Sequence, residues 1–194
     1  MGRPREFDAD EALDSALELF WRKGYEGTSL SDLTEAMGIT RPSLYATFGN
    51  KEELFRKALD RYDDTCMAFT RSALQEPTAR KVIDRLLYGY ADSQTDQAHP
   101  PGCMDMNGAL ACSEEAEPIK QALVGRRVAG EAALGRRLEE ARASGDLPAD
   151  CAPADLARYI MTVAHGMAVQ AASGASREAL YAVVDMTLRA WPSA

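Results

Sequence analysis

Nearly every apolar stretch of this chain repeats at three- and four-residue spacing and stops at a glycine or proline, while alternating β-branched runs are almost absent. A chain patterned this way buries helix against helix, so the fold class it predicts is all-α. The first stripe is Ala12, Leu13, Ala16, Leu17, Leu19 and Phe20, opened by Asp8 and Glu11 as a capping box and closed by Gly24. Thr28 can cap a short helix over 29–37, which Gly38 ends, and Thr40 can cap a third over 41–48, with Pro42 in its first turn. Asn50 and Glu53 then open a long amphipathic helix running through Leu54, Phe55, Leu59, Tyr62 and Cys66 towards Leu74. Pro77 breaks it, and Thr78 caps the next stripe, Val82 to Tyr90. Residues 96–102 form a loop, 103–112 a short apolar segment, and helices follow over about 117–143, 154–172 and 176–190. The total is about nine helices with no sheet and no solenoid repeat.

Composition narrows the function classes. The 194 residues support one large or two small domains. No apolar run reaches the roughly 20 residues of a membrane span, so no membrane partner is expected. Met1 to Glu6 carries charge without a hydrophobic stretch behind it, unlike a secretory leader. Cys66, Cys103, Cys112 and Cys151 lie at wide, irregular spacing, which points to a reducing cytoplasm rather than a disulfide framework. The net charge of −8 taken alone argues against a nucleic-acid partner.

Residues 28–51 argue the other way. Two short helices joined by a tight turn at Gly38 match a helix-turn-helix. Leu30, Leu33, Ala36 and Met37 give the first helix an inner face, and Ile39, Leu44 and Phe48 give one to the second. Thr40, Arg41, Ser43, Tyr45 and Thr47 are left outward. Arg41 can pair with a guanine edge, while Ser43 and Tyr45 can reach bases or phosphates. Thr28 stands where a helix N-terminus meets a phosphate, Lys51 offers a further phosphate contact, and Arg3 and Arg5 can reach backbone or minor groove from an N-terminal arm.

The run Gly24-Tyr25-x-Gly27-Thr28-Ser29, then Ala36-Met37-Gly38-Ile39, then Ser43-Leu44-Tyr45-x-x-Phe48-Gly49-Asn50-Lys51-Glu52-x-Leu54 resembles the TetR/AcrR family of one-component repressors over roughly residues 7–62. The resemblance implies an N-terminal three-helix DNA-binding domain, taken as 1–50, joined by a long helix over 51–75 to a C-terminal effector-binding and dimerisation domain within 51–194. It implies a homodimer on double-stranded palindromic operator DNA, released by a small-molecule effector. Family positions facing DNA correspond here to Thr40, Arg41, Pro42, Ser43, Tyr45 and Lys51, and Thr28 and Ser29 open the preceding helix.

The remainder reads as a regulatory half. Leu156, Tyr159, Ile160, Val163 and Met167, with Leu180, Val183, Val184, Leu188 and Trp191, form apolar stripes on the last two helices, and the resemblance favours a dimer interface there. An effector pocket is expected among Cys66, Met67, Phe69, Tyr88, Cys103, Met104, Met106, Leu110, Cys112, Met161 and His165, since methionines suit an adaptable cavity and Tyr88 and His165 can orient a ligand. Repacking near Cys66, Met67 and Phe69 would move the long helix as a lever.

Three other functions compete. A reactive Cys103 or Cys112 would make a redox- or electrophile-sensing regulator; on one helix the pair would lie about 13 Å apart along the axis, too far for a direct disulfide. His99, Cys103 and Cys112 lack standard metal-ligand spacing, so neither metal nor cofactor is expected. An enzyme is disfavoured by the absence of G-x-S-x-G, P-loop, G-x-G-x-x-G and H-E-x-x-H motifs. A helical adaptor without DNA binding is the third. The acidity persists on division: residues 1–62 carry 9 Lys+Arg against 12 Asp+Glu. Weak non-specific DNA binding follows, with affinity resting on a few placed contacts.

Overall fold

The computed structural model describes residues 7–107 and 113–192, all helix, turn and loop with no strand among them. Helix α1 (Ala9–Lys23) starts where the Asp8 carboxylate accepts from the Asp10 and Glu11 amides. Helix α2 (Leu30–Ala36) is capped by Ser29 and not by Thr28. Ser29 and Asp32 exchange side-chain and backbone bonds as a capping box, while the Thr28 hydroxyl donates back to the Gly24 carbonyl at 2.7 Å. Gly38 turns the chain at φ 64°, a left-handed conformation that glycine adopts without penalty, into α3 (Arg41–Phe48), capped by Thr40.

Helix α4 (Lys51–Asp64) carries the expected Asn50–Glu53 capping box but stops earlier than its stripe predicts. The Thr65 hydroxyl donates to the Arg61 carbonyl at 2.7 Å, competing with the helical ladder. The chain then turns before α5 (Ala68–Ala73), so the single lever to Leu74 is two helices. Helix α6 (Ala79–Gln94) leads to the loop and to α7 (Met104–Asn107). A 3₁₀ turn (Glu114–Ala116) precedes α8 (Glu117–Ala143), followed by α9 (Pro153–Ala172) and α10 (Arg177–Arg189).

Two apolar cores hold these elements. The first gathers Phe20, Trp21, Leu33, Leu44, Phe48, Phe55 and Tyr62 and extends to Cys103, Met104, Ile119, Leu123 and Ala168. Edge-to-face rings join α1 to α4, Phe20 on Phe55 at 4.9 Å and Trp21 on Tyr62 at 4.8 Å, each pair adding about 0.5–1.5 kcal/mol beyond area burial. The second core lies among α6, α8, α9 and α10 around Ile83, Leu87, Leu138, Ile160 and Val184. Because the first core takes in 103–104 and the start of α8, the helix-turn-helix is seated directly on the C-terminal helices.

Ile160, Met167, Leu180, Val184, Leu188 and Trp191, expected at a dimer interface, are buried in the second core of this same subunit. Their stripe faces α6 and α8, so they are unavailable to a second copy in this arrangement. Leu156 and Val163 are half-buried against that core. The apolar side chains left exposed on α9 and α10 are Tyr159, Val169, Val183 and Met186, the last 64% exposed.

Candidate nucleic-acid interface and regulatory cavity

Helix α3 lies on the molecular surface because Leu44 and Phe48 anchor its inner side in the first core. Thr40, Arg41, Pro42 and Tyr45 are exposed, Tyr45 at 49%, and Ser43 is half-buried. The Thr40 and Ser43 hydroxyls lie 2.9 Å apart, and Arg41 Nη2 donates to Ser31 Oγ at 2.8 Å, which fixes the guanidinium beside α2. Lys51, the first residue of α4, places its ammonium 4.3 Å from the centre of the Tyr25 ring, a cation–π contact. Burial lowers its pKa, and the Glu26 and Asp32 carboxylates pull in the opposite direction.

Two expected DNA contacts look different in place. Thr28 is wholly buried with its hydroxyl committed to Gly24, so it supports the turn and cannot offer that hydroxyl to a phosphate. Ser29 is exposed, but its hydroxyl is engaged with Asp32. Arg3 and Arg5 lie outside the described residues, as do Leu110 and Cys112.

A cavity of about 390 Å³ opens between α4, α5, α6, α8, α9 and the segment before α7. Of the residues expected there, Met67, Cys103, Met161 and His165 line it. The other described ones lie elsewhere. Cys66 borders a separate cleft with Asp14, Trp21 and His99. Phe69 packs against Gly89, where a Cβ would meet its ring at 2.4 Å. Tyr88 points outward, donating to Asp185 and standing edge-on to Tyr181 at 4.9 Å. Met104 is buried in the first core and Met106 packs at its edge.

Sequence reasoning missed the polar wall, which includes Asp63, Thr70, Arg71, Tyr90, Gln94, Asp105, Arg126 and Arg127. Arg126 reaches from α8 to α4, donating to Asp60 Oδ1 and the Leu59 carbonyl at 2.9 Å each and to Asp63. Arg127 donates to the Asp105 carbonyl at 3.4 Å. Burial pushes the Asp105 carboxyl up to about 6, Asp63 adding to the rise and Arg126 and Arg127 opposing it. Desolvation lowers the His165 pKa, which favours a neutral imidazole. The available signals were Asp105 inside an apolar segment and the Arg126-Arg127 pair in mid-helix.

Cys103 is 8% exposed, and Tyr62 Oη donates to its sulfur at 3.4 Å. Burial pushes its thiol up to about 11, leaving on the order of one thiolate in ten thousand at neutral pH. No group of three His, Cys, Asp or Glu side chains fit to hold a metal occurs among the described residues. No described helix is long and apolar enough to cross a membrane.

Residues 12–58 match the sequence pattern of bacterial regulatory proteins of the tetR family, and residues 80–186 match the tetracyclin repressor-like C-terminal domain. The chain is 39% identical over 193 residues to the HTH-type transcriptional repressor ComR of Escherichia coli K12, covering 98% of this chain and 92% of that protein. It is 43% identical to a cysteine-substituted form of the TetR family regulator CifR, solved with a 26-bp double-strand operator DNA. That superposition covers 98% of this chain and 100% of CifR, with a TM-score of 0.94. A putative TetR regulator from Rhodococcus sp. RHA1 is also 43% identical, over 96% of this chain and 100% of that one, with a TM-score of 0.67. The helix-turn-helix on α2 and α3, the all-helical C-terminal part and both sequence matches place this chain in the TetR family of transcriptional regulators, DNA-binding proteins and not enzymes.

Proposed function

We propose that this chain is a homodimeric repressor that binds a palindromic operator and leaves it when a small molecule enters the cavity between α4, α8 and α9. The observation that carries the DNA half is the exposed row Thr40, Arg41 and Tyr45 on α3, on a scaffold superposing at TM-score 0.94 with a regulator held on its operator. In this reading Arg41 reads a base edge, Tyr45, Ser43 and Lys51 hold phosphates, and the 1–6 arm adds Arg3 and Arg5. Thr28 and Ser29 contribute by shaping the start of α2. Residues 1–50 form the reading head, and the chain from 51 onward forms the regulatory half, acting in the cytoplasm.

A second copy would pack on the exposed apolar side chains Tyr159, Val169, Val183 and Met186 of α9 and α10, bringing two heads onto one face of the duplex. An occupant of the cavity would press on Asp63 and its Arg126 partner and on Cys103, which Tyr62 contacts. Both Asp63 and Tyr62 belong to α4, so ligand-dependent repacking is transmitted to the head. The effector acts only in so far as it binds the two arrangements with different affinity. Burial and a raised thiol pKa count against Cys103 as the primary sensor.

An electrophoretic shift with the intergenic DNA upstream of the chain's own reading frame tests this reading. A salt-sensitive shift that survives excess unrelated DNA is expected, and binding that shows no sequence preference would overturn it.

A further inference from the structure

The groups lining the cavity differ in how far the protein already satisfies them. Most of its charged groups are engaged: Arg126 with Asp60 and Asp63, Arg71 with Asp64 at 3.1 Å, and Arg127 with the Asp105 backbone carbonyl at 3.4 Å, while the Asp105 carboxyl faces no ion-pair partner among the described residues. What remains without a protein partner is a set of single hydrogen-bonding atoms, Gln94 Oε1, Asp105 Oδ1 and Arg126 Nε. Gln94 is 2% exposed, and its Nε2 donates to the Ala164 carbonyl at 3.2 Å, which fixes the amide so that Oε1 is the atom left over. Two acceptors and one donor are thus unmet in a wall whose other members include Leu74, Leu86, Leu134 and Met161.

Resting on the effector reading above, we propose that the cavity takes an uncharged amphiphile, an apolar body carrying a hydroxyl or primary amide head that donates hydrogen bonds. An anion would lose its hydration beside Asp63 and Asp105 while the nearby guanidinium groups are already engaged. A cation would find the Asp105 carboxylate, but with three guanidinium groups, of Arg71, Arg126 and Arg127, in the same wall. The head of an alcohol or amide can donate to Gln94 or Asp105, or accept from Arg126, without adding a further charge to a cavity that already holds five charged side chains. The position of Asp105, whose carboxyl burial pushes up to about 6, is consistent with a wall that disfavours further charge. A volume of about 390 Å³ suits one substituted ring.

Four probes of nearly one shape test the assignment by calorimetry on the full chain at pH 7.5: 4-ethylbenzamide, 4-ethylbenzoate, 4-ethylbenzamidinium and ethylbenzene. The amide is expected to bind at least tenfold tighter than each of the others, and Gln94→Leu to weaken it at least fivefold while changing ethylbenzene less than twofold. An ion that binds as tightly as the amide, an amide no better than ethylbenzene, or no binding by any of the four overturns the proposal. The ranking on the unsubstituted chain decides the matter even if Gln94→Leu fails to fold. Operator affinity measured in parallel separates the two readings. An amide that binds without releasing DNA refutes the effector role and leaves the ligand class standing. Release by an ion, with no amide binding, refutes the ligand class and leaves the effector role standing.

Discussion

Asp105 gives the sharpest physical test because its carboxyl is buried without a partner for Oδ1 and is raised from 3.8 to about 6. Between those two values the folded chain holds a proton that the unfolded chain has released. Folding stability therefore falls as pH rises through that window, the reverse of a salt-bridged carboxylate. At about 1.4 kcal/mol per pH unit, the deficit reaches about 3 kcal/mol above pH 6 and then levels off. Asp105→Asn keeps the shape and removes the titration. The variant should match the parent near pH 4 and exceed it by about 2–3 kcal/mol at pH 7.5, the gain appearing between pH 4 and 6.5. Urea unfolding of both chains across pH 4–8 at one fixed chain concentration measures this, which holds constant any contribution of self-association to apparent stability. A difference independent of pH, or a less stable asparagine variant at pH 7.5, would refute the burial argument. The stability given up here lies in the wall of the cavity proposed to hold the effector, where a strained polar group is commonly retained for function.

Arg41→Ala should cost about 1–3 kcal/mol of operator affinity and relax selectivity at one base pair per half-site, whereas Lys51→Ala should weaken all sequences alike and lower the salt slope by about one; binding titrations on operator variants at several salt concentrations distinguish them. Thr28→Val should lower stability by about 1 kcal/mol through the lost bond to Gly24 and leave the salt slope of DNA binding unchanged, as chemical unfolding and the same titrations will show. Arg126→Met should destabilise by about 1–2 kcal/mol, since it removes the partner of a half-exposed Asp63 and the bond to the Leu59 carbonyl, and should loosen α4 on α8 in hydrogen exchange.

The helix boundaries were largely legible because caps act locally. Asp8, Thr40, Asn50 and Thr78 are N-caps as their spacing predicts. Thr28 misled because a hydroxyl one position early can bond either way, and the S-x-x-D pair of Ser29 and Asp32 completes its box with a shorter acid than the usual glutamate. The cavity was legible only in its apolar members. Arg126 and Asp63 carry charges that pattern reading assigns to solvent, and only the approach of α8 to α4 turns them inward on each other. On α9 and α10 the stripe records apolar character, not which neighbour covers it. Ile160 and Val184 went to the subunit's own core, while Tyr159 and Val169 were left on its surface.

The acidic balance of the chain and its membership of a DNA-binding family are reconciled by where the acids sit. Asp14 holds Arg61 through two bonds of 2.8 Å, Asp60 and Asp63 hold Arg126, and Asp64 holds Arg71. These acids lie along α1 and α4 and bind arginines of the protein itself, so they add little potential to the face where Arg41, Tyr45 and the α3 N-terminus stand. The same pairs link recognition to regulation. Lys51 begins α4 and Asp63 lies twelve residues along it, about 18 Å away at helical rise. Arg61–Asp14 ties the last turn of that helix to α1, and Arg126–Asp63 clamps the same turn to the cavity wall. In the proposed repressor, a ligand that shifts the clamp would move α1 and α4 together, because Phe20 on Phe55 and Trp21 on Tyr62 pack the two helices edge to face.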